Sequence, residues 1–350
     1  MDYRRLGRTD LDVSSICLGT MTYGEQNTEK EGHAQMDVSV GHGVNFFDTA
    51  ELYPIMPNRE TQGRTERIIG SWFKARGNRD KIVLATKVVG RTEMDWFRED
   101  GSLGRLTRNQ IEEAVNRSLK NLQTDYIDLY QLHWPDRNVS GFGSNLTRWA
   151  DVDPAEDENS IESTLEVLQD LVKAGKIRHV GLSNESAWGT MRYVAAAERY
   201  GLPRVVSIQN AYSLLNRTFE VNLAEIALRE NVGLLAYSAL AQGYLTGKYK
   251  DGARPAGARK TLFDRLQRYE KPGAAEAIND YLEIAKGAGL DPSQMAISFA
   301  LSKSFMTSVI IGATSQKQLV ADLEAVDVKL DADVLEKIDL VHQMRGNPSP

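Results

Sequence analysis

Short apolar runs alternate with amphipathic stretches along the chain. The runs lie near residues 13–19, 44–48, 82–87, 126–133, 177–183, 204–210, 232–238 and 308–311, which makes eight. Each is rich in Val, Ile and Leu and nearly continuous, the pattern of a strand covered on both faces. Between them, apolar positions recur at helical period near 28–42, 61–76, 107–123, 160–174, 186–200, 219–231, 275–289 with 292–302, and 315–326. In the third stretch Ile111, Val115, Leu119 and Leu122 share one face, and Thr107 with Gln110 has capping-box spacing. A last helix is predicted near 331–343, ahead of a polar tail.

Eight buried strands, each followed by a helix, pair in parallel through right-handed crossovers. Closure of that α/β pattern predicts a (β/α)8 TIM barrel. No Gly/Ser/Pro-rich linker divides the chain, so residues 1–350 read as one domain. Residues 1–12 predict a hairpin under the barrel. Residues 134–158, with the acidic run 151–158, and residues 239–274 are long for strand-to-helix loops. Both follow strands and therefore belong to the C-terminal face, where barrel active sites are built. The charged stretch 91–100 reads as a solvated surface loop.

Charge and cysteine narrow the possible functions. With 42 basic and 48 acidic residues the net charge is −6, which argues against a general nucleic-acid or anionic-membrane binder. The single cysteine, Cys17, lies in a strand-like run and reads as a small buried hydrophobe. It permits no internal disulfide. The start of the chain is polar, without an apolar signal core, and no apolar run reaches 18 residues, so a cytoplasmic location is expected. No metal site is expected: there is no His-x-His and the five histidines are scattered.

The candidate chemistry lies at strand ends. Val44–Asp48 closes on Asp48, with Tyr53 just beyond it; Ile82–Lys87 ends in Lys87; Tyr126–His133 ends in His133. A phenol alone is a weak acid near neutral pH, and an adjacent ammonium stabilises its phenolate. Together these groups point to proton transfer onto a developing alkoxide. Tyr53 would donate, Lys87 would lower its pKa, Asp48 would hold the lysine charged, and His133 would orient the carbonyl. Each has a structural alternative: a cap, a packed aromatic, a solvated strand end, a core histidine. Lys87 also permits a Schiff-base aldolase.

Nucleotide fingerprints are absent. Gly41-His-Gly43 precedes a strand and lacks a third glycine, so it is no dinucleotide motif. Gly243–Lys248 has one residue too few for a phosphate loop, and Tyr249 replaces Ser or Thr.

The chain resembles the aldo-keto reductase family, and within it the bacterial Tas-like group, a sister branch to potassium-channel β-subunits. The resemblance is carried by Gly19-Thr-Met-Thr-Tyr-Gly24, Gly175–Asn184, Gln209–Arg217, Tyr237-Ser-Ala-Leu240, Thr246-Gly-Lys-Tyr249 and Ile311-Gly-Ala-Thr314, in that order and spacing. It implies NADPH-dependent reduction of a small aldehyde or ketone, with Asp48, Tyr53, Lys87 and His133 in the roles above. It also leaves open a redox-sensing partner subunit with little turnover. For the cofactor NADP, the resemblance implies that Ser183, Asn184 and Gln209 hold the carboxamide and Tyr237 stacks on the ring. Thr20 and Met21 lie in the first matching motif. Ser238, Leu240 and Gln242 would follow the pyrophosphate, with Lys248 and Arg259 near the phosphates. Gly312, Thr314 and Gln318 lie at a helix N-terminus, an intrinsic anion site. Many relatives carry Glu-Asn for the adenine where this chain has Ala321-Asp322; Asp322 accepts a hydrogen bond from an amino group but donates none. Tyr23, Met56, Trp96, Trp134 and Trp149 are candidates to line the substrate pocket.

Overall fold

The structure, a computed structural model, describes residues 1–140, 147, 149–264 and 267–350. Parts of the expected loops 134–158 and 239–274 lie outside the described residues. A strand in a closed barrel has one face toward the axis and one toward the helices, and successive side chains alternate between them. This produces two apolar populations. On β4 (Phe46–Asp48), Phe46 points inward and Phe47 packs outward with Trp72.

The other barrel strands are β3 (Ile16–Gly19), β5 (Val83–Val88), β6 (Ile127–Leu132), β7 (Ile177–Ser183), β8 (Val205–Ala211), β9 (Gly233–Tyr237) and β10 (Met306–Ile311). They close in the order β10-β3-β4-β5-β6-β7-β8-β9, every pairing parallel. The fold is therefore the (β/α)8 barrel predicted.

The run 13–19 divides between two sheets. Asp12–Ser14 (β2) pairs antiparallel with Tyr3–Arg5 (β1), and only Ile16–Gly19 enters the barrel. This hairpin closes one end. Its Leu6 and Val13 pack with the inward side chains of Phe46, Val83, Leu129, Val206 and Leu235. The turn fits because Gly7 has φ +56° and a Cβ there would stand 2.4 Å from the Val206 carbonyl oxygen.

The helices around the barrel are α1 (Glu29–Gly41), α2 (Arg64–Arg76), α3 (Arg108–Leu122), α4 (Ile161–Lys173), α5 (Ala187–Tyr200), α6 (Leu223–Glu230), α8 (Ala274–Gly287), α9 (Pro292–Leu301), α10 (Gln316–Leu323) and α11 (Ala332–Arg345). A short helix, α7 (Arg259–Phe263), was not anticipated inside the long loop after β9. Helix α3 buries the predicted face, with Ile111, Val115 and Leu122 fully buried. Each such side chain contributes about 1.5–3 kcal/mol. Its expected capping box does not form. Thr107 makes no cap bond, and Gln110 Oε1 instead accepts from the backbone N–H of Arg105 at 2.7 Å. The box occurs on α1, between Thr28 and Glu31. Among the described residues, no helix is long and apolar enough to cross a membrane.

Candidate active site

Three of the predicted strand ends converge inside the barrel mouth. The inward positions of β4 and β5 bring Asp48 and Lys87 together: Lys87 Nζ donates to Asp48 Oδ2 at 2.6 Å and to the Thr49 carbonyl at 2.8 Å. The same ammonium lies 4.9 Å from the centroid of the Tyr53 ring. Just past β6, the His133 ring stands edge-on to Tyr53, with centroids 5.9 Å apart. All four side chains are buried.

Electrostatics in this mouth are set first by burial. Burial pushes the Tyr53 phenol above its ordinary value, and the Lys87 charge pulls against it. Desolvation of the phenolate outweighs the lowering by the ammonium, and the phenol keeps its proton at neutral pH. Burial also opposes the Lys87 charge, but the charges of and hydrogen bonds to Asp48 and Tyr53 more than offset it, and the lysine rises above its ordinary value. His133 falls well below 6.5, mainly through burial and then through Lys87. Its imidazole is neutral at neutral pH, and Nδ1 is buried without a hydrogen-bond partner among the described residues.

Sequence reasoning missed Gln131, and missed that Gln209 joins it in holding Asp48 from its other side. Asp48 Oδ1 accepts from the Gln131 amide at 3.1 Å and from the Gln209 amide at 2.8 Å. The signal was available: Gln131 is a lone amide in an apolar run, on the inward parity of Leu129.

The residues assigned to a carboxamide form one connected patch. Ser183 Oγ donates to the Gln209 carbonyl at 2.9 Å, and the Tyr237 hydroxyl donates to Asn184 Oδ1 at 2.6 Å. The Asn184 amide donates to the His133 carbonyl at 2.9 Å, which ties this patch to β6. Asn184 has φ +52°, a left-handed conformation that asparagine tolerates. Thr20 Oγ1 donates to the Asp48 carbonyl at 2.8 Å, and Met21 packs with the cluster of Leu52, Tyr53 and Trp134.

After β9 the chain turns tightly, with positive φ at Ser238, Ala241, Gln242 and Gly243. Leu240 lies within this turn. A Cβ at Gly243 would come within 2.4 Å of Lys248 Cε, so the lysine lies against the turn. Lys248 is lowered by burial and by the neighbouring Arg259, and raised by Asp322. Asp322 is itself pushed up to about 7, by burial first, then by Asp291, with Lys248 opposing. Gly312 lies just past β10, and Gln318 Oε1 accepts from both the backbone and the hydroxyl of Thr314. Lys248 is thus within electrostatic reach of both Arg259 and Asp322.

The mouth loops differ from expectation at three places. Tyr23 does not line a pocket: its ring is fully buried in the outer core, and its hydroxyl donates to Gln35. Trp149 is 75% exposed. The loop 91–100 is not simply solvated: Arg98 is buried in an ion pair with Glu51, and Arg91 is bound to Asp136 and Asp157. Met56 is half-buried in the loop after Tyr53. Trp134 and Trp96 do pack beside Tyr53, with Ile55 and Met94.

The aldo/keto reductase family model matches residues 15–343. The chain is similar to protein Tas of Escherichia coli, with 48% identity over 352 residues covering 100% of both chains. It is similar to the uncharacterized oxidoreductase YrpG of Bacillus subtilis, with 33% identity over 100% of this chain and 98% of that one. It is also similar to a probable voltage-gated potassium channel subunit beta of Arabidopsis thaliana, with 30% identity over 99% of this chain and 98% of that one. With this coverage, on a closed parallel barrel, the chain belongs to the aldo/keto reductase family.

Proposed function

We propose that the protein is an oxidoreductase that reduces a small aldehyde or ketone with NADPH. The observation that carries this reading is the convergence of Lys87, 2.6 Å from Asp48, on the ring of a buried, protonated Tyr53 beside a neutral His133. Bound NADPH would supply a hydride to the carbonyl carbon. As charge grows on the carbonyl oxygen, the Tyr53 hydroxyl gives it a proton, and Lys87 stabilises the phenolate left behind. Asp48 keeps the lysine charged and fixed. The His133 imidazole, uncharged, hydrogen-bonds the carbonyl and orients it. Leu52, Trp96 and Trp134 pack around Tyr53 and would keep water from the reacting atoms.

The residues around the turn after β9 fit an anionic dinucleotide. Lys248 and Arg259 crowd each other's charge, and a bound phosphate relieves that repulsion. Ser183, Asn184 and Gln209 would hold the carboxamide, and Tyr237 would stack on the ring. Thr20 and Met21 would flank it. Ser238, Leu240 and Gln242 would follow the pyrophosphate, Gly312, Thr314 and Gln318 would lie beside the phosphates, and Asp322 would face the adenine. A Schiff-base role for Lys87 needs a neutral amine, whereas its surroundings raise its pKa.

The test is a screen of cofactor oxidation across aldehydes, ketones and quinones, with wild type and Tyr53→Phe side by side. Oxidation of NADPH that depends on both the carbonyl and Tyr53 is expected. Absence of carbonyl-dependent oxidation throughout the screen overturns the reading.

A further inference from the structure

We propose that Gln131 is a positioning residue for carbonyl reduction, acting through Asp48. This inference rests on the function proposed above and adds a residue to its machinery. Gln131 is fully buried on β6, in register with Lys87 on β5 and Gly181 on β7. Inward positions nearer the hairpin are apolar: Phe46, Val83, Ala85, Leu129 and Leu235. An amide above such a layer is costly unless its polar atoms are bonded. Here both are. Nε2 donates to Asp48 Oδ1 at 3.1 Å, and Oε1 accepts from Gln209 Nε2 at 3.2 Å. Gln209 Nε2 also donates to Asp48 Oδ1, so the two amides and the carboxylate form a closed triangle.

The triangle has a directional consequence. Asp48 presents two oxygens. With Oδ1 held by two amide donors on one side, Oδ2 is left facing Lys87, and the carboxylate does not swing. The two amides are neutral donors, so they hold Oδ1 without competing for the lysine. The fold makes room for this device. A Cβ at Gly181 would lie 3.1 Å from Gln131 Cγ and 2.9 Å from Ser207 Oγ, closer than most side-chain contacts. The neighbouring strand leaves the interior to the glutamine.

Gln131→Met keeps the length of the side chain and removes the amide. A hydrogen bond to a charged group corresponds to about a factor of ten in rate, so kcat/KM should fall about tenfold. A purely structural amide would change the melting temperature and leave the pH profile alone. A positioning amide moves it. With Asp48 less fixed, Lys87 stabilises the phenolate less, and the basic limb of the reduction profile shifts to higher pH. In an Asp48→Asn background the same substitution should have little further effect, because it acts through that carboxylate. Gln131→Glu keeps the shape and offers a proton only below its own titration. That variant should approach wild-type rates at acidic pH and lose them as the introduced carboxyl ionises against Asp48. Two results overturn the proposal alone: a wild-type enzyme that reduces carbonyls with Gln131→Met variants whose basic limb is unmoved, or an equal loss with and without Asp48. A wild-type protein that reduces no carbonyl overturns both this inference and the function it rests on.

Discussion

Glu51 and Arg98 face each other as two forks behind the loop that carries Tyr53. Arg98 Nη1 donates to Glu51 Oε2 at 2.9 Å and Nη2 to Oε1 at 3.1 Å. The Val89 backbone N–H and Arg117 complete the carboxylate's shell. Both partners are out of water, and without Arg98 the Glu51 carboxylate keeps only Arg117, at 3.1 Å, and the Val89 N–H. Arg98→Met should lower unfolding stability by about 1.5–3 kcal/mol. A denaturant titration measures this. An unchanged midpoint would show that water reaches Glu51 once the guanidinium is gone.

Tyr53 is the proton donor in the proposed mechanism, and its ring rather than its hydroxyl contributes to packing with Trp134. Tyr53→Phe therefore keeps the pocket and removes the acid. Carbonyl reduction should drop about 10²-fold or more, while NADPH affinity measured by fluorescence stays close to wild type. Near-normal turnover in the variant would assign the proton to His133 or to solvent.

Much of the barrel was legible because each buried parallel strand is written as an apolar run and each covering helix as a period of 3.6. Where the reading slipped, the missing information was non-local. The run 13–19 looks continuous, yet its halves pair with different sheets, and periodicity does not encode the partner. Tyr23 occupies a mouth loop, but loop position does not tell which way a ring turns, and this one turns under α1. Arg98 looked solvated because its partner Glu51 lies 47 residues away. The four catalytic candidates were visible because barrel geometry gathers strand ends at one face. Gln131 offered one sign, a lone amide at inward parity in an apolar run, and that sign does not name a partner. Only its register with Lys87 and its contact with Asp48 give it meaning.

Lys87 has two separable contributions: a positive charge and a shape that reaches Asp48, Thr49 and Tyr53 at once. Lys87→Arg retains the charge in a bulkier form. Lys87→Met removes it. The lysine is the opposing influence on a phenol that burial already raises. Without it the phenol rises further, and the basic limb of the reduction profile should move to higher pH in the Met variant. The Arg variant should keep more activity and a limb nearer wild type. Equal inactivity of both, with substrate trapped on the wild type by borohydride, would instead favour the aldolase.

Cofactor choice should follow the two neighbouring cations. Charged hydrogen bonds contribute roughly 1.5–3 kcal/mol each, so pairing of Lys248 and Arg259 with a 2′-phosphate gives at least about tenfold tighter binding of NADPH than NADH. Lys248→Ala combined with Arg259→Ala should erase most of that preference. Fluorescence titration with both nucleotides reads the ratio. Equal dissociation constants in wild type would remove the 2′-phosphate from the assignment.

Asp322 makes a distinct, pH-dependent statement about stability. It is buried on α10, and its carboxyl is pushed up to about 7 by burial and by Asp291, with Lys248 only partly compensating. In the unfolded chain an aspartate titrates near about 3.9. Between those two values the unfolded chain has released its proton and the folded chain retains it, so folding binds a proton. Stability therefore falls as pH rises through this window, and the full penalty is present above about pH 7. The difference of about three pH units corresponds to roughly 4 kcal/mol. Asp322→Asn removes the titration while keeping the size. Relative to wild type, the variant should gain stability progressively between about pH 4 and pH 7 and hold that gain above it. Thermal melts of both proteins across this range measure the gain. A difference that stays flat with pH would show that Asp322 ionises in the folded protein as readily as in the unfolded chain.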